Sequence, residues 1–210
     1  MIKILIADDH AIVRKGLKQI LSETSDMVVA GEAADGRQCL EVVQVKDLDL
    51  VLLDISMPGR GGLDILKELK CEKPKLPVLV LSMYPEEQYA VRALKAGASG
   101  YLTKESAPEE LIAAIRKVSR GGKYVSSSLA EKLAVYLETD TEKPVHEMLS
   151  DREYQVMLMI ASGKTVKQIA DELSLSVKTI STYRARTLGK MGMKNNAEIT
   201  YYAIKNALVD

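Results

Sequence analysis

The sequence predicts an α/β unit, built on an open, doubly wound five-stranded parallel sheet, followed by an all-α unit. Three observations carry this. Through residues 1–123, short β-rich apolar runs alternate with amphipathic stretches of helical period. From Leu149 onward only the helical period remains. Between them, Glu138-Thr139-Asp140-Thr141-Glu142-Lys143-Pro144 has no apolar periodicity and reads as linker. A length of 210 residues accommodates two such domains. The expected limits are 1–123, a linker with a short helix at 124–148, and 149–210.

In the first unit the strands are expected at Ile2–Ala7, Met27–Ala33, Leu50–Leu53, Val78–Leu81 and Gly100–Leu102. Leu50-Val51-Leu52-Leu53 and Val78-Leu79-Val80-Leu81 are apolar throughout, as strands covered on both faces should be. Amphipathic stretches near 11–22, 36–46, 62–72, 86–96 and 108–120 supply the helices, punctuated by Gly97, Gly100, Pro74 and Pro77. In the linker, Ser126-Ser127-Ser128 can cap a helix running through Leu129, Leu133 and Leu137. In the last unit, Ser150-Asp151-Arg152-Glu153 is a capping box opening a helix to about Ser162, which Gly163 ends. Thr165 caps Val166 to Leu173. Ser176 caps a longer helix that Gly192 closes, and Asn195-Asn196-Ala197-Glu198 opens a fourth. Two helices joined by a short turn at Ser174-Leu175 form a helix-turn-helix pattern.

Hydrophobic residues at 47% and charged residues at 28% are ordinary for a globular chain and argue against disorder. Two cysteines, Cys39 and Cys71, are too few for a disulfide scaffold and suit a reduced, cytoplasmic setting. No apolar run reaches the ~18 residues a membrane helix needs, and the paired acids at Asp8-Asp9 come too early for a signal peptide. Lys+Arg and Asp+Glu each total 29, yet the balance shifts along the chain. Residues 1–123 are neutral, 124–148 carry net −3 and 149–210 net +3. Lys178, Arg184, Arg186, Lys190 and Lys194 occur with no acid between 178 and 194, a pattern that suits either a polyanion partner or a solvated helix face.

Polar residues collect where strands end. Asp8 and Asp9 follow the first strand, Asp54 the third, Ser82 the fourth, and Thr103-Lys104 the fifth. Ligands of open α/β sheets bind beyond the carboxyl ends of the strands, where strand order reverses. Carboxylates brought together there repel unless a cation joins them, and a hard, oxygen-seeking ion such as Mg²⁺ suits the set. Asp8 and Asp9 could equally cap the next helix; the coincidence at successive strand ends favours a site.

These residues resemble a known family. The acidic pair, Leu52-Leu53-Asp54-Ile55-Ser56-Met57-Pro58-Gly59, Ser82 and Tyr101-Leu102-Thr103-Lys104 resemble a two-component receiver domain of flavodoxin-like fold. Leu149-Ser150-Asp151-Arg152-Glu153 through Gly163, Ile169-Ala170, Leu173, Ser176-Val177-Lys178-Thr179-Ile180 and Lys190-Met191-Gly192 are similar to the LuxR-type helix-turn-helix. Together they resemble a NarL/FixJ-type response regulator over nearly the whole chain. The resemblance implies that Asp54 accepts a phosphoryl group from a sensor histidine kinase. It implies Mg²⁺ on Asp9 and Asp54, on Asp8 through water, and on the Ser56 carbonyl. Lys104 would meet the phosphoryl oxygen, Ser82 would swing toward it, and Tyr101 would follow into the vacated space. Tyr84, two residues after Ser82, would either shield the phosphate from water or rest on the following helix.

On the longer basic helix, Ile180, Thr187, Leu188 and Met191 should face the core. Lys178, Ser181, Thr182 and Ala185 fall on the opposite face, with Arg186 at its edge. Small residues there can approach base edges while Lys and Arg contact phosphates of double-stranded DNA. Arg184 falls on the inward stripe, its guanidinium expected to reach outward to the backbone. A module this small is expected to act as a homodimer on paired half-sites and to engage the transcription machinery. Tyr201, Tyr202 and Ile204 could form the dimer surface or the module's own core. The main reading is a phosphorylation-controlled regulator and not an enzyme. The rivals are a phosphohydrolase using Asp54 as nucleophile, and a binding module that acts without phosphorylation.

Overall fold

The computed structural model of the chain describes residues 1–57, 61–127, 129–131 and 144–209, the Glu87 side chain aside. The helix through Leu133 and Leu137, the acidic stretch 138–143, and Pro58-Gly59 of the Asp54 motif lie outside the described residues. The chain separates into two compact units, Met1–Val135 and Tyr136–Asp210.

In the first unit, β1 (Ile2–Ala7), β2 (Met27–Ala33), β3 (Leu50–Leu53), β4 (Val78–Ser82) and β5 (Gly100–Thr103) alternate with α1 (Ala11–Ser22), α2 (Gly36–Val45), α3 (Gly62–Glu72), α4 (Glu86–Lys95) and α5 (Pro108–Ser119). All strand pairs are parallel, in the order β2-β1-β3-β4-β5. The two central apolar runs are buried at every residue, as expected of strands covered on both faces. β4 and β5 each extend one residue further than the sequence suggests, so Ser82 and Thr103 are paired strand residues that extend the sheet's rim. Leu111, Ala114, Ile115 and Val118 of α5 pack with Ile4, Leu52, Leu79 and Leu102 in the main core.

Beyond α5 the chain turns back along the sheet. Tyr124 bridges Gly100 in parallel fashion, its N–H donates to the Ser99 carbonyl at 2.9 Å, and its hydroxyl donates to Glu110 at 2.8 Å. Lys123 Nζ donates to the Ala98 carbonyl, Ser126 Oγ to Glu86 at the start of α4, and Leu129 is buried. The first residues of the stretch read as linker thus cover the beginning of the open edge of β5, at Gly100. Lys123, Tyr124 and Val125 carry no helical period, which is why the sequence pattern passes over them. Ser126 then caps the helical turn at Leu129 as expected, its Oγ accepting from the Leu129 N–H at 3.1 Å.

The second unit holds a 3-10 turn at Val145–Met148, then α6 (Asp151–Ala161), α7 (Val166–Glu172), α8 (Val177–Met191) and α9 (Asn196–Lys205). Both Ser150–Glu153 and Thr165–Gln168 form reciprocal capping boxes. Gly163 and Gly192 hold left-handed φ angles of 83° and 66°, the conformation that stops a helix. Ile180, Thr187 and Met191 are buried as the period predicts, whereas Leu188 is only half-buried. Tyr202 turns inward, its hydroxyl 2.8 Å from His146 Nδ1, while Tyr201 and Ile204 are 69% and 54% exposed. The three residues therefore divide between packing and surface.

Two glycine substitutions should move stability in opposite directions. A Cβ on Gly100 would lie 2.7 Å from the Tyr124 carbonyl and 2.9 Å from its Cβ, so Gly100→Ala should cost about 1–3 kcal/mol. A Cβ on Gly16, within α1, meets nothing within 4 Å, so Gly16→Ala should add about 0.5–1 kcal/mol. Urea unfolding of the two variants checks both signs.

Candidate functional site

The strand order reverses between β1 and β3, which lie side by side, and their carboxyl ends place the acids together. Asp54 is 1% exposed at the end of β3. Its N–H donates to the Ala7 carbonyl at 2.8 Å, locking it to β1 one residue before Asp8. One Asp54 oxygen accepts from the Ser56 N–H at 2.8 Å, and the other accepts from Lys104 Nζ at 2.7 Å. Lys104 arrives from β5, and its own N–H donates to the Ser82 carbonyl at 2.7 Å. Its ammonium also pairs with Asp8 at 2.6 Å, so it sits between two buried carboxylates. At the start of α3, a Cβ on Gly62 would come within 2.9 Å of the Asp54 carbonyl; the bare backbone permits this close approach.

Asp8 and Asp9 do not cap α1. The N-cap residue is His10, and the other Asp8 oxygen accepts from the His10 N–H at 2.8 Å. Asp9 Oδ1 is buried without a hydrogen-bond partner, its neighbour being His10 Nδ1 at 3.0 Å. Asp8, Asp9, His10 and Asp54 each offer one atom within 4.8 Å of the others. Three carboxylates against one ammonium leave negative charge uncompensated. Burial, opposed by Lys104 and reinforced by Asp8, pushes the Asp54 carboxyl above its usual range. Burial disfavours the Lys104 ammonium as well, yet Asp54 and Asp8 outweigh it and hold that group above its ordinary value. The donor set is all-oxygen apart from one imidazole, and an orphaned buried carboxylate oxygen faces it, so the residues fit a divalent cation.

Behind the acids, Ser82 Oγ accepts from the Tyr84 N–H at 3.1 Å and the Tyr101 hydroxyl donates to the Tyr84 carbonyl at 2.8 Å. Tyr101 is fully buried, and burial raises its phenol pKa. Its ring lies inside in this structure. The Tyr84 ring lies 4.8 Å from that of Tyr89 on α4, so it does rest on the following helix.

The basic residues of the second unit divide. Lys178, Thr182 and Arg186 share a shallow concavity with Ser176, Thr179 and Tyr183. Ser181 and Thr182 are exposed, with hydroxyls donating to the carbonyls of Val177 and Lys178, and Ala185 is exposed beside them. Arg184 turns instead toward α9, Nε donating to Asn196 Oδ1 at 2.6 Å. Lys190 pairs with Glu153 at 2.6 Å. Glu153, far upstream, therefore pairs with one charge of the cationic stripe, and Asn196 turns a second, Arg184, toward α9 without neutralising it.

The family model of the response regulator receiver domain matches residues 4–116, and that of the bacterial regulatory proteins of the luxR family matches 147–203. The chain belongs to the two-component response regulators. Response regulator UvrY of Escherichia coli (strain K12) is 36% identical over 209 residues, covering 99% of this chain and 96% of UvrY. Response regulator GacA of Pseudomonas aeruginosa is 37% identical over 211 residues, covering all of this chain and 99% of GacA. Among solved structures, RcsB from Salmonella enterica serovar Typhimurium, bound to promoter rprA with the phosphomimetic BeF3-, superposes with a TM-score of 0.66 at 28% identity over the full length of both chains. The family is one of regulators that join a receiver to a DNA-binding domain and control transcription. Among the described residues, no helix is long and apolar enough to cross a membrane.

The raised Asp54 carboxyl has a consequence for stability. A proton binds Asp54 more tightly in the folded chain than in the unfolded one, so its contribution is present below its unfolded value near 3.8 and is lost as pH rises through the folded value. In metal-free buffer, removing this buried charge with Asp54→Asn should therefore stabilise the chain at pH 8, a gain that shrinks on acidification. Urea midpoints at pH 8 and pH 5 check this; a gain that grows toward pH 5 contradicts it.

Proposed function

We propose that this regulator takes a phosphoryl group on Asp54 from a sensor histidine kinase and thereby controls sequence-specific binding to double-stranded DNA. The observation that carries the reading is Asp54, buried at the strand-order reversal, held by Lys104 at 2.7 Å beside Asp8 and Asp9. An Asp54 oxygen attacks phosphorus, the phosphorus–nitrogen bond of the phosphohistidine breaks, and an acyl phosphate remains. Asp9, Asp54 and the Ser56 carbonyl would hold Mg²⁺, with Asp8 acting through water, and the ion would supply charge compensation for the transferring oxygens. Lys104 releases Asp54 and meets a phosphoryl oxygen as a compact charge.

Ser82 then exchanges its bond from the Tyr84 N–H for the phosphoryl group. That frees the backbone which also accepts the Tyr101 hydroxyl, and Ser82 and Tyr101 together form the switch. The proposed domain limits keep a receiver from residue 1 and a LuxR-type module at 149–210. The expected boundary at 123 moves on to about residue 131, because Tyr124, Ser126 and Leu129 pack on the first unit. In the module, Lys178 and Arg186 contact phosphates, and Ser181, Thr182 and Ala185 approach base edges. Arg184 reaches DNA only by leaving Asn196. RcsB bound to a promoter in the presence of a phosphate mimic supports the DNA and phosphate readings. A homodimer on paired half-sites, engagement of the transcription machinery and a cytoplasmic setting complete the proposal. The protein is a phosphoacceptor that at most dephosphorylates itself, not a turnover enzyme.

With Mg²⁺ and a small phosphodonor, the intact chain should gain one phosphoryl mass on Asp54. Asp54→Asn or chelation should abolish the gain, and steady release of inorganic phosphate from simple esters would favour a phosphohydrolase instead. Tyr84→Ala should speed loss of the label if the ring shields it; an unchanged rate assigns Tyr84 to packing on Tyr89. On a duplex of arbitrary sequence, Lys178→Ala should weaken binding and lower the salt slope by about one unit. An unchanged slope removes Lys178 from the phosphate contacts.

A further inference from the structure

We propose that His10 is a fourth donor of the acidic pocket and widens its metal preference. Besides the hard ion assigned above, the pocket takes borderline transition ions such as Mn²⁺, Co²⁺ and Zn²⁺ through the His10 imidazole. This rests on the reading of Asp9 and Asp54 as cation ligands.

The turn from β1 into α1 builds the imidazole into the site. His10 occupies the N-cap of α1, where a side chain ordinarily accepts from the first helical turn, yet its ring makes no capping bond. Its N–H is tied to Asp8 at 2.8 Å, and its Nδ1 lies 3.0 Å from Asp9 Oδ1 and 3.4 Å from Asp8 Oδ1. Adjacent donors in an octahedral shell with bonds of about 2.1 Å stand about 3 Å apart, so the Nδ1–Oδ1 edge fits one metal ion. The same Asp9 oxygen is the one that is buried without a hydrogen bond. The His10 side chain is 59% exposed, so the ring can adjust without disturbing the core.

Donor chemistry then decides which ions profit. Carboxylate, carbonyl and water suit Mg²⁺, whereas imidazole suits ions later in the divalent series, whose affinities rise toward copper. A pocket of carboxylates alone would discriminate weakly. One added ring nitrogen should favour Zn²⁺ and Co²⁺ strongly, Mn²⁺ modestly and Mg²⁺ hardly at all.

The test uses the full unphosphorylated chain as wild type, His10→Asn and Asp9→Asn. Mn²⁺-loaded wild type should show electron spin-echo modulation from a coordinated imidazole nitrogen, and His10→Asn should lose it. Calorimetric titration should find Zn²⁺ affinity lowered about tenfold or more in His10→Asn, with Mg²⁺ affinity changed less than about twofold. His146 and Cys71 are present in all three proteins, so their contributions cancel in the comparison. Absent nitrogen modulation in wild type, or unchanged Zn²⁺ affinity in His10→Asn, overturns the inference. If Mg²⁺ still binds wild type and is lost in Asp9→Asn, that negative result removes only His10. If Mg²⁺ fails to bind wild type at all, the cation reading of the pocket falls with it.

Discussion

Everything in the receiver turns on a charge imbalance that the fold builds in and does not resolve by itself. β1 and β3 are hydrogen-bonded neighbours, so their carboxyl ends cannot avoid bringing Asp8, Asp9 and Asp54 into one space. Lys104 answers only part of that charge. Buried like charges at such spacing are costly, and the cost is lowered by whatever positive charge or proton reaches them. A fold that accepts this cost holds a place where arriving cations and phosphoryl groups change the energy most.

The shared ammonium gives the imbalance its direction. Lys104 reaches Asp54 from β5, and its own amide is anchored to the Ser82 carbonyl on β4. The side chain that neutralises the acceptor and the hydroxyl expected to sense its modification thus belong to one paired rim. Tyr101 follows on the same strand, hydrogen-bonded to the Tyr84 carbonyl. A change of charge at Asp54 has only a few bonds to cross before it meets the backbone entering α4.

The strands were legible because runs such as Leu50–Leu53 are apolar without interruption, and the helices because their caps are explicit, as at Ser150 and Thr165. The site was legible from the spacing of acids, hydroxyl and lysine along successive strand ends. Partners distant in sequence were not. Lys190 reads as a free cation until Glu153, 37 positions upstream, is seen beside it, and Arg184 meets Asn196 only once α9 folds back. His10 carries no periodic signal; its relation to Asp9 is a matter of turn geometry.

Tyr124 and Ser126 carry one practical lesson about boundaries. β5 is an outer strand, and an outer strand with unpaired amides is a template for sticking to another chain. A fragment trimmed at the last turn of α5 would strip away that cover and leave a raw margin. An isolated receiver intended for solution work should instead retain the chain through residue 131, so that the sheet keeps its own hem.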